Sequence, residues 1–569
     1  MKKAKSSVIR EAVPYLLVLL MTLPLAIPYL EPGYQFADDR YSPYLRVEGL
    51  RQAVGEGQVP PRWFAEFDGG YGSPYPSFYA MLFYDLAALI NVAGVSVGAA
   101  VELSAFLVII AAAVAMFVLV RSLWGVESGF LAAALYVYAP YHLVDAFIRG
   151  ALSELAAFFW FPVIVYAIHR TILTRKKAWL AAAGLSIAGL ILTHNLMPII
   201  FLPVVVGLMG IFAVLTAEDA REKFMGVGML GVSAGLGLLI SAYFWLPIVF
   251  ERGLLRLDYF LQYDFHGDFV SRGTLFAWAS AEPPYASIGL VLVGAALAGS
   301  LVGLWSGSRS PHKILSLGAL GAGTIFLFMV TRKSAWIWER VPLLPLVQFP
   351  WRFLAPASFS LALASGPLPR LLRNSPARWS MAIAVAGMIY VQSSPLIHIA
   401  DRIDGVKIDQ MQICQEVWGT QDYRPSTSQT LFWRGPTPPG EPNDPLILLP
   451  CQGSVKLSSS GDAQVRSVSR QGLRWQVRYS AAGATTATIP QFYFPGWSAA
   501  VDGVPTAIEP AAGNGLLQVA LPAGVHLLQV DYGETRVERI GDLLTVMGIA
   551  ILVGIGWSAW RDRASEAVG

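Results

Sequence analysis

The chain reads as a succession of apolar blocks separated by short polar connections. Blocks such as Phe106–Val120 and Ile187–Leu192 have no polar face, a pattern that suits lipid as the solvent. Runs of near-spanning length fall at about 12–30, 99–120, 128–145, 154–171, 178–193, 196–216, 226–249, 286–305, 313–330, 353–369, 379–395 and 541–560. They predict a polytopic α-helical membrane protein with about 12 transmembrane helices. One further run, Phe78–Val95, is aromatic-rich and broken by Asp85 and Asn91. Late in the chain the pattern changes. Leu473-Arg474-Trp475-Gln476-Val477-Arg478-Tyr479 alternates as a strand does. Val501-Asp502-Gly503-Val504 is a hairpin turn signal, and Gly515–Leu521 and Val525–Tyr532 flank a second turn, Pro522-Ala523-Gly524. The reading is therefore a transmembrane domain over residues 1–395 with a loop at 31–98, a β-rich, sandwich-like domain over 396–540, and a last helix and tail over 541–569. Asp401–Pro450, rich in Pro, Gly, Asp and Gln, reads as irregular.

Charge supplies an orientation. Lys2, Lys3, Lys5 and Arg10 precede the run Ala12–Leu30, which lacks a small-x-small cleavage site and so predicts a retained signal-anchor helix. With the N-terminus cytoplasmic and Phe78–Val95 dipping into the outer leaflet without crossing, the basic connections fall on one side. These are Arg121, His169-Arg170 with Arg175-Lys176-Lys177, Arg221 with Lys223, Arg309 with Lys313, Arg370 with Arg373 and Arg378, and Arg561 with Arg563. Both termini are then cytoplasmic. Glu31–Ser77, Glu251–Tyr285, Thr331–Arg352 and Leu396–Ile540 face outward, as expected for a multi-pass protein of a bacterial inner membrane.

Composition agrees with the class: 55% of residues are hydrophobic and 14% charged, against about a quarter charged in soluble domains. A net charge of +3 with no basic stripe argues against nucleic acid as a partner. The two cysteines, Cys414 and Cys451, both lie in the outward stretch, as a disulfide or as two thiols.

Residues suited to chemistry gather at the predicted outer helix ends. The first outward loop holds Asp38-Asp39-Arg40, then Pro60-Pro61-Arg62-Trp63 and Gly69-Gly70-Tyr71-Gly72. Adjacent carboxylates beside a membrane suit a general base or a cation ligand; their plain alternative is a solvated Asp–Arg pair. His142, Asp145, Arg149 and Glu154 cluster near the outer end of one helix, where the plain reading is a buried ion pair. His194-Asn195 interrupts two apolar runs and serves equally well as a polar turn. Asp258, Asp264, His266 and Asp268 share an outward loop whose spacing matches no tight calcium loop. Trp63, Tyr71, Tyr75, Tyr79, Trp336, Trp338 and Trp351 could stack on sugars or form an interfacial belt.

An Asp-Asp in the first outward loop, a following Pro-x-Trp, a Gly-rich turn and an aromatic amphipathic stretch together resemble the glycosyltransferase C superfamily. More narrowly, the chain resembles the bacterial membrane proteins labelled "6-pyruvoyl-tetrahydropterin synthase-related". Further matching pieces are Ala139-Pro140-Tyr141-His142, Arg149-Gly150-Ala151 with Glu154, Leu192-Thr193-His194-Asn195 and Gln348-Phe349-Pro350-Trp351-Arg352. Phe494-Pro495-Gly496-Trp497 and Leu521-Pro522-Ala523-Gly524-Val525-His526 resemble the C-terminal domain of membrane proteins that glycosylate cell-surface polymers. The label does not carry pterin chemistry, which needs a zinc-binding histidine cluster; the seven histidines here are scattered. The resemblance implies sugar transfer from a polyprenyl-phosphate donor to a glycan, lipid or protein acceptor at the outer face, with membrane lipids around the site. It implies Asp38 or Asp39 as the base. Arg149 and Arg352 become candidates for the phosphate, because guanidinium forks match phosphate oxygens. Arg40, His142, Glu154 and His194 are further candidates for substrate contact. No metal ligand set is assigned, and a divalent cation (Mg2+ or Mn2+) is left open.

Two other classes compete: a transporter or flippase of lipid-linked intermediates, and a non-catalytic envelope assembly protein. A transporter should carry ionisable residues near the midplane of several helices. Here they gather at helix ends.

Overall fold

In a computed structural model of the protein, the structure describes residues 2–37, 39, 41–256, 263–279, 287–305, 311–399, 401–403, 425–427, 456–458, 463–512 and 514–568. The expectations on Asp38, Arg40, Asp258, Cys414 and Cys451 lie outside the described residues, as does most of Asp401–Pro450.

Each apolar run of the sequence is helical over most of its described residues, but the count of 12 spans is not confirmed. Among the described residues, seven helices are long and apolar enough to cross a membrane: Glu11–Leu30, Val97–Trp124, Leu152–Thr174, Met197–Thr216, Ala220–Ile240, Pro311–Met329 and Arg536–Arg561. An eighth arises if Val126–Val137 and Pro140–Ile148, bent by 53°, form one span. The run at 226–249 breaks at Ser241, where Ala220–Ile240 gives way to Ala242–Glu251. The ambiguous run becomes Leu82–Val92, an 11-residue helix. It rises about 16 Å, roughly half a hydrocarbon core. Helices approach closely where small residues face large ones. An added Cβ on Gly184 would stand 2.8 Å from Leu236, and one on Gly237 2.7 Å from Ile187.

The C-terminal region forms two antiparallel sheets. One has the order β3 (Lys456–Ser458), β6 (Thr485–Phe492), β10 (Leu516–Leu521), β9 (Ile508–Pro510). The other runs β4 (Gln464–Gln471), β5 (Arg474–Ala481), β11 (Gly524–Tyr532), β7 (Trp497–Val501), β8 (Val504–Thr506). Strand β5 alternates as its sequence predicts, burying Trp475, Val477 and Tyr479 against Ile489, Val519, Leu528 and Val530. Val501 pairs with Val504 across Asp502 and Gly503, whose φ values of 49° and 82° make the tight hairpin. Pro522-Ala523-Gly524 is a turn of another kind. It carries the chain from one sheet to the other, since β10 and β11 do not pair.

Two strands far apart in sequence, β1 (Tyr34–Gln35) and β2 (Arg402–Ile403), close a small antiparallel ladder of their own. The first loop then docks the sandwich onto the helices. Trp63 is fully buried, with ring centroids 5.2 Å from Tyr532, 5.7 Å from Trp497 and 6.1 Å from Phe494. Its indole N–H donates to Gln491 Oε1 at 2.8 Å. Arg62 reaches Asp542 of the last helix at 2.5 Å, and Ser77 donates to Glu538 at 2.6 Å. The Gly-rich turn is needed here. Gly72 has φ +81°, and a Cβ on it would meet Trp63 Nε1 at 2.3 Å. Trp63, Tyr75 and Trp338, expected at a sugar or a lipid interface, are instead packed inside the protein at 0% exposure.

Candidate functional site

The site is built where one helix fails to continue. After Val126–Val137, Pro140 opens a short turn, and Val144–Ile148 winds as a π-helical turn closed by Arg149 N–H donating to Val144 O at 2.8 Å. Such turns widen a helix by one residue and recur at functional sites. The turn faces Asp145 and Arg149 toward one another, at 2.5 Å. Gly150 follows with φ +63°. A Cβ there would lie 2.7 Å from Ala37, so only glycine lets the first loop come this close.

Glu154, in the first turn of Leu152–Thr174, is the centre of convergence. It is 1% exposed and accepts from Tyr141 Oη at 2.7 Å and Arg149 at 3.5 Å. Arg352 Nε lies 3.6 Å away and His194 Nε2 at 4.0 Å. His194 Nδ1 accepts the backbone N–H groups of Leu196 and Met197, at 3.0 and 3.1 Å, which leaves the ring proton on Nε2, the nitrogen nearest Glu154. Burial pushes the His194 imidazole down to about 4; the Glu154 carboxylate opposes this and the Arg352 and Arg149 guanidinium groups add to it. Asn195 ties the following loop in place. It accepts from Ala80 N–H at 2.9 Å and donates to Phe78 O at 2.7 Å.

Arg352 is delivered by a strained turn. Gln348 has φ 62° and ψ −60°, and Phe349 N–H donates to Val347 O at 2.7 Å, closing a γ-turn that non-glycine residues rarely adopt. The same carbonyl accepts from Arg352 at 2.7 Å, and the Arg352 guanidinium sits 4.9 Å over the Phe349 ring. Several buried polar atoms near these groups make no hydrogen bond: Asp145 Oδ2, Arg352 Nε and Trp351 Nε1. Unmet polar capacity of this kind marks a place where a polar ligand would be welcome.

Asp39 stands at the edge of the same region, with its side chain 42% exposed and 3.3 Å from Arg46. Its charge also acts on Arg149. The structure thus brings Asp39, Arg149, Glu154, His194 and Arg352 to one end of the helical bundle. It does not bring His142 there. That ring is fully buried between Tyr136 and Phe158, and its Nδ1 pairs with Val137 O at 2.9 Å, which fixes the helix bend. Sequence reasoning missed Arg46 and Tyr141. Arg46 looks like an ordinary charge in the polar helix Ser42–Gly55, and Tyr141 is one aromatic among many in an apolar stretch.

Among the described residues no group of three or more His, Cys, Asp or Glu side chains is placed to hold a metal ion. Asp145 and Glu154 are engaged by arginines, so these donors do not fit a divalent cation. In the outward loop that carries Asp264 and Asp268, whose spacing matches no tight calcium loop, His266 is clasped by Asp264 at 2.6 Å and Glu339 at 3.3 Å. Those two partners raise its pKa, and the cluster is a solvated ion pair.

An uncharacterized protein of Lactococcus lactis subsp. cremoris is 23% identical over 242 residues, covering 41% of this chain and 39% of that protein. Among solved structures, the chain is similar to the mycobacterial arabinofuranosyltransferase AftD (17% identity, 67% of this chain and 26% of that one, TM-score 0.40). It is also similar to ArnT from Cupriavidus metallidurans bound to undecaprenyl phosphate (15% identity, 68% and 64%, TM-score 0.39). The chain spans less than two thirds of each of these proteins. The model of the 6-pyruvoyl-tetrahydropterin synthase related domain, described as a membrane protein, matches residues 77–400, more than half of the chain and the stretch that holds Arg149, Glu154, His194 and Arg352, and the protein belongs to that family.

Proposed function

We propose that the protein is a membrane glycosyltransferase that moves a sugar from a polyprenyl-phosphate donor to a glycan, lipid or protein acceptor on the extracytoplasmic face of a bacterial inner membrane. The observation that carries this reading is the convergence of two guanidinium groups, Arg149 and Arg352, on Glu154 beside a half-exposed loop carboxylate. Arg149 spends one terminal nitrogen on Tyr141, Asp145 and Glu154, which leaves its outer edge for a phosphate. The polar loops supply a base, and the lipid-facing helices supply an apolar surface for the polyprenyl tail.

In this reaction Asp38 or Asp39 takes the proton of the acceptor hydroxyl as its oxygen attacks the anomeric carbon. The bond from that carbon to the phosphate oxygen breaks, and the lipid phosphate leaves with its charge met by Arg149 and Arg352. A divalent cation (Mg2+ or Mn2+) stays open as a partner for the leaving phosphate, and the transfer assay is run with and without a chelator to read it. The test is transfer of radiolabelled sugar from undecaprenyl-phosphate donors by membranes carrying Asp38→Asn, Asp39→Asn or both. Loss of transfer with intact insertion is expected for at least one single variant; full activity in both singles and the double would end the proposal.

A further inference from the structure

Arg46 lies one turn into the helix Ser42–Gly55, and its guanidinium is enclosed by aromatic rings. Its centre is 4.3 Å from the Tyr79 ring, 5.2 Å from Tyr84 and 5.6 Å from Tyr75. Its Nη1 donates to Tyr84 Oη at 2.5 Å. The side chain is 6% exposed, so the cation has left water and depends on these ring faces. The same nitrogen donates to Asp39 Oδ2 at 3.3 Å. Among the described residues, Asp39 is the carboxylate that forms an ion pair with Arg46.

The asymmetry of this pair is informative. An arginine that only neutralised a buried acid would have a buried partner. Here the cation is buried against three rings, whereas the carboxylate is 42% exposed and sits in a loop. One oxygen of Asp39 is engaged, and the other has no partner among the described residues. The loop backbone is held at the same place, because Asp39 O accepts Ser42 N–H at 2.9 Å, at the start of the helix that bears Arg46. A fixed cation that takes one carboxylate oxygen leaves the other at a set position, as a base or a substrate contact requires.

We propose that Arg46, caged by Tyr75, Tyr79 and Tyr84, is a positioning residue that holds Asp39 in its working geometry. The inference rests on the reading of Asp39 as a reacting group. It predicts an effect on turnover and not on donor binding, since Arg149 and Arg352, on other segments, meet the phosphate.

The experiment uses the full chain in membranes. Arg46→Met is expected to lower kcat for transfer from undecaprenyl-phosphate sugars at least 30-fold, with KM changed less than threefold and binding of undecaprenyl phosphate alone retained. Arg46→Lys should recover part of the loss, because a charge remains over the rings. Tyr79→Leu, which removes a ring face, should lower kcat at least tenfold more than Tyr79→Phe, which keeps it; this pair decides the matter if Arg46→Met does not fold. An Arg46→Met enzyme within threefold of the parent kcat, with Asp39→Asn inactive, overturns the inference and leaves the proposed function standing. Full activity in Asp39→Asn removes Asp39 from the reaction, and the inference with it.

Discussion

Trp63 offers the most direct test of how the two parts of the molecule are joined. It comes from the first loop yet is fully buried in the core of the sandwich, among Phe494, Trp497 and Tyr532. A side chain of this type removes roughly 200 Å² from water, worth about 5 kcal/mol at ~25 cal/mol per Å². Replacement by alanine also strips Gln491 Oε1 of the indole N–H, a further cost of about 1–3 kcal/mol. Partial collapse of the cavity offsets some of this, so Trp63→Ala should weaken docking by about 5 kcal/mol. Trp63→Phe keeps a ring and loses the hydrogen bond, for about 1–2 kcal/mol. Limited proteolysis of the full-length protein reads the difference, since cleavage follows the population of the opened state. At about 1.4 kcal/mol per decade, cleavage of the sandwich should accelerate by about 1,000-fold or more, until opening saturates. Gly72→Ala should act in the same direction, because its Cβ would crowd Trp63 Nε1. A Trp63→Ala protein cleaved within threefold of the parent rate would refute the reasoning.

Two further outcomes follow from the same structure. Glu154→Gln keeps a hydrogen-bonding group for Tyr141 but removes the charge that Arg149 and Arg352 share; Asp145 still serves Arg149, so the loss should be about 3 kcal/mol, near the low end for a broken buried pair, and an unfolding free energy unchanged to within ~0.5 kcal/mol would contradict it. In the sandwich, both ring nitrogens of His526 face acceptors, Asp502 Oδ2 at 2.6 Å and Ala523 O at 2.9 Å, and these contacts raise its pKa above the ordinary value. The stability this contributes is complete below about pH 6.5 and is lost as pH rises through the raised folded value. The thermal midpoint should therefore fall as pH rises above about 6.5, and less so in His526→Gln; an NMR titration placing His526 at or below the ordinary value would disprove it.

What the sequence by itself determined is local. Long apolar runs became helices because every backbone hydrogen bond of a helix closes within its own segment, so no partner had to be known. The alternation through Leu473–Tyr479 and the Asp502-Gly503 turn were legible for the same reason: side-chain period and turn chemistry are properties of neighbouring residues. Span counting fared less well, because it depends on where a run breaks. Ser241 interrupts one run, and the bend before Pro140 divides another. Of the candidate site, Asp39, Arg149, Glu154, His194 and Arg352 could be picked out as charges and polar breaks at helix ends. Their meeting could not. Arg352 reaches Glu154 through a strained turn at Gln348, and His194 arrives from the junction of two other helices; these contacts are set by packing across nearly two hundred residues. Arg46 was invisible because its cage of tyrosines forms only when residues 75–84 fold against the helix Ser42–Gly55. The Pro-x-Trp and Gly-rich motifs stood out correctly, but tertiary structure gave them a different task. They hold the sandwich over the helices, since a large ring can be buried only where another domain supplies the rest of its surroundings.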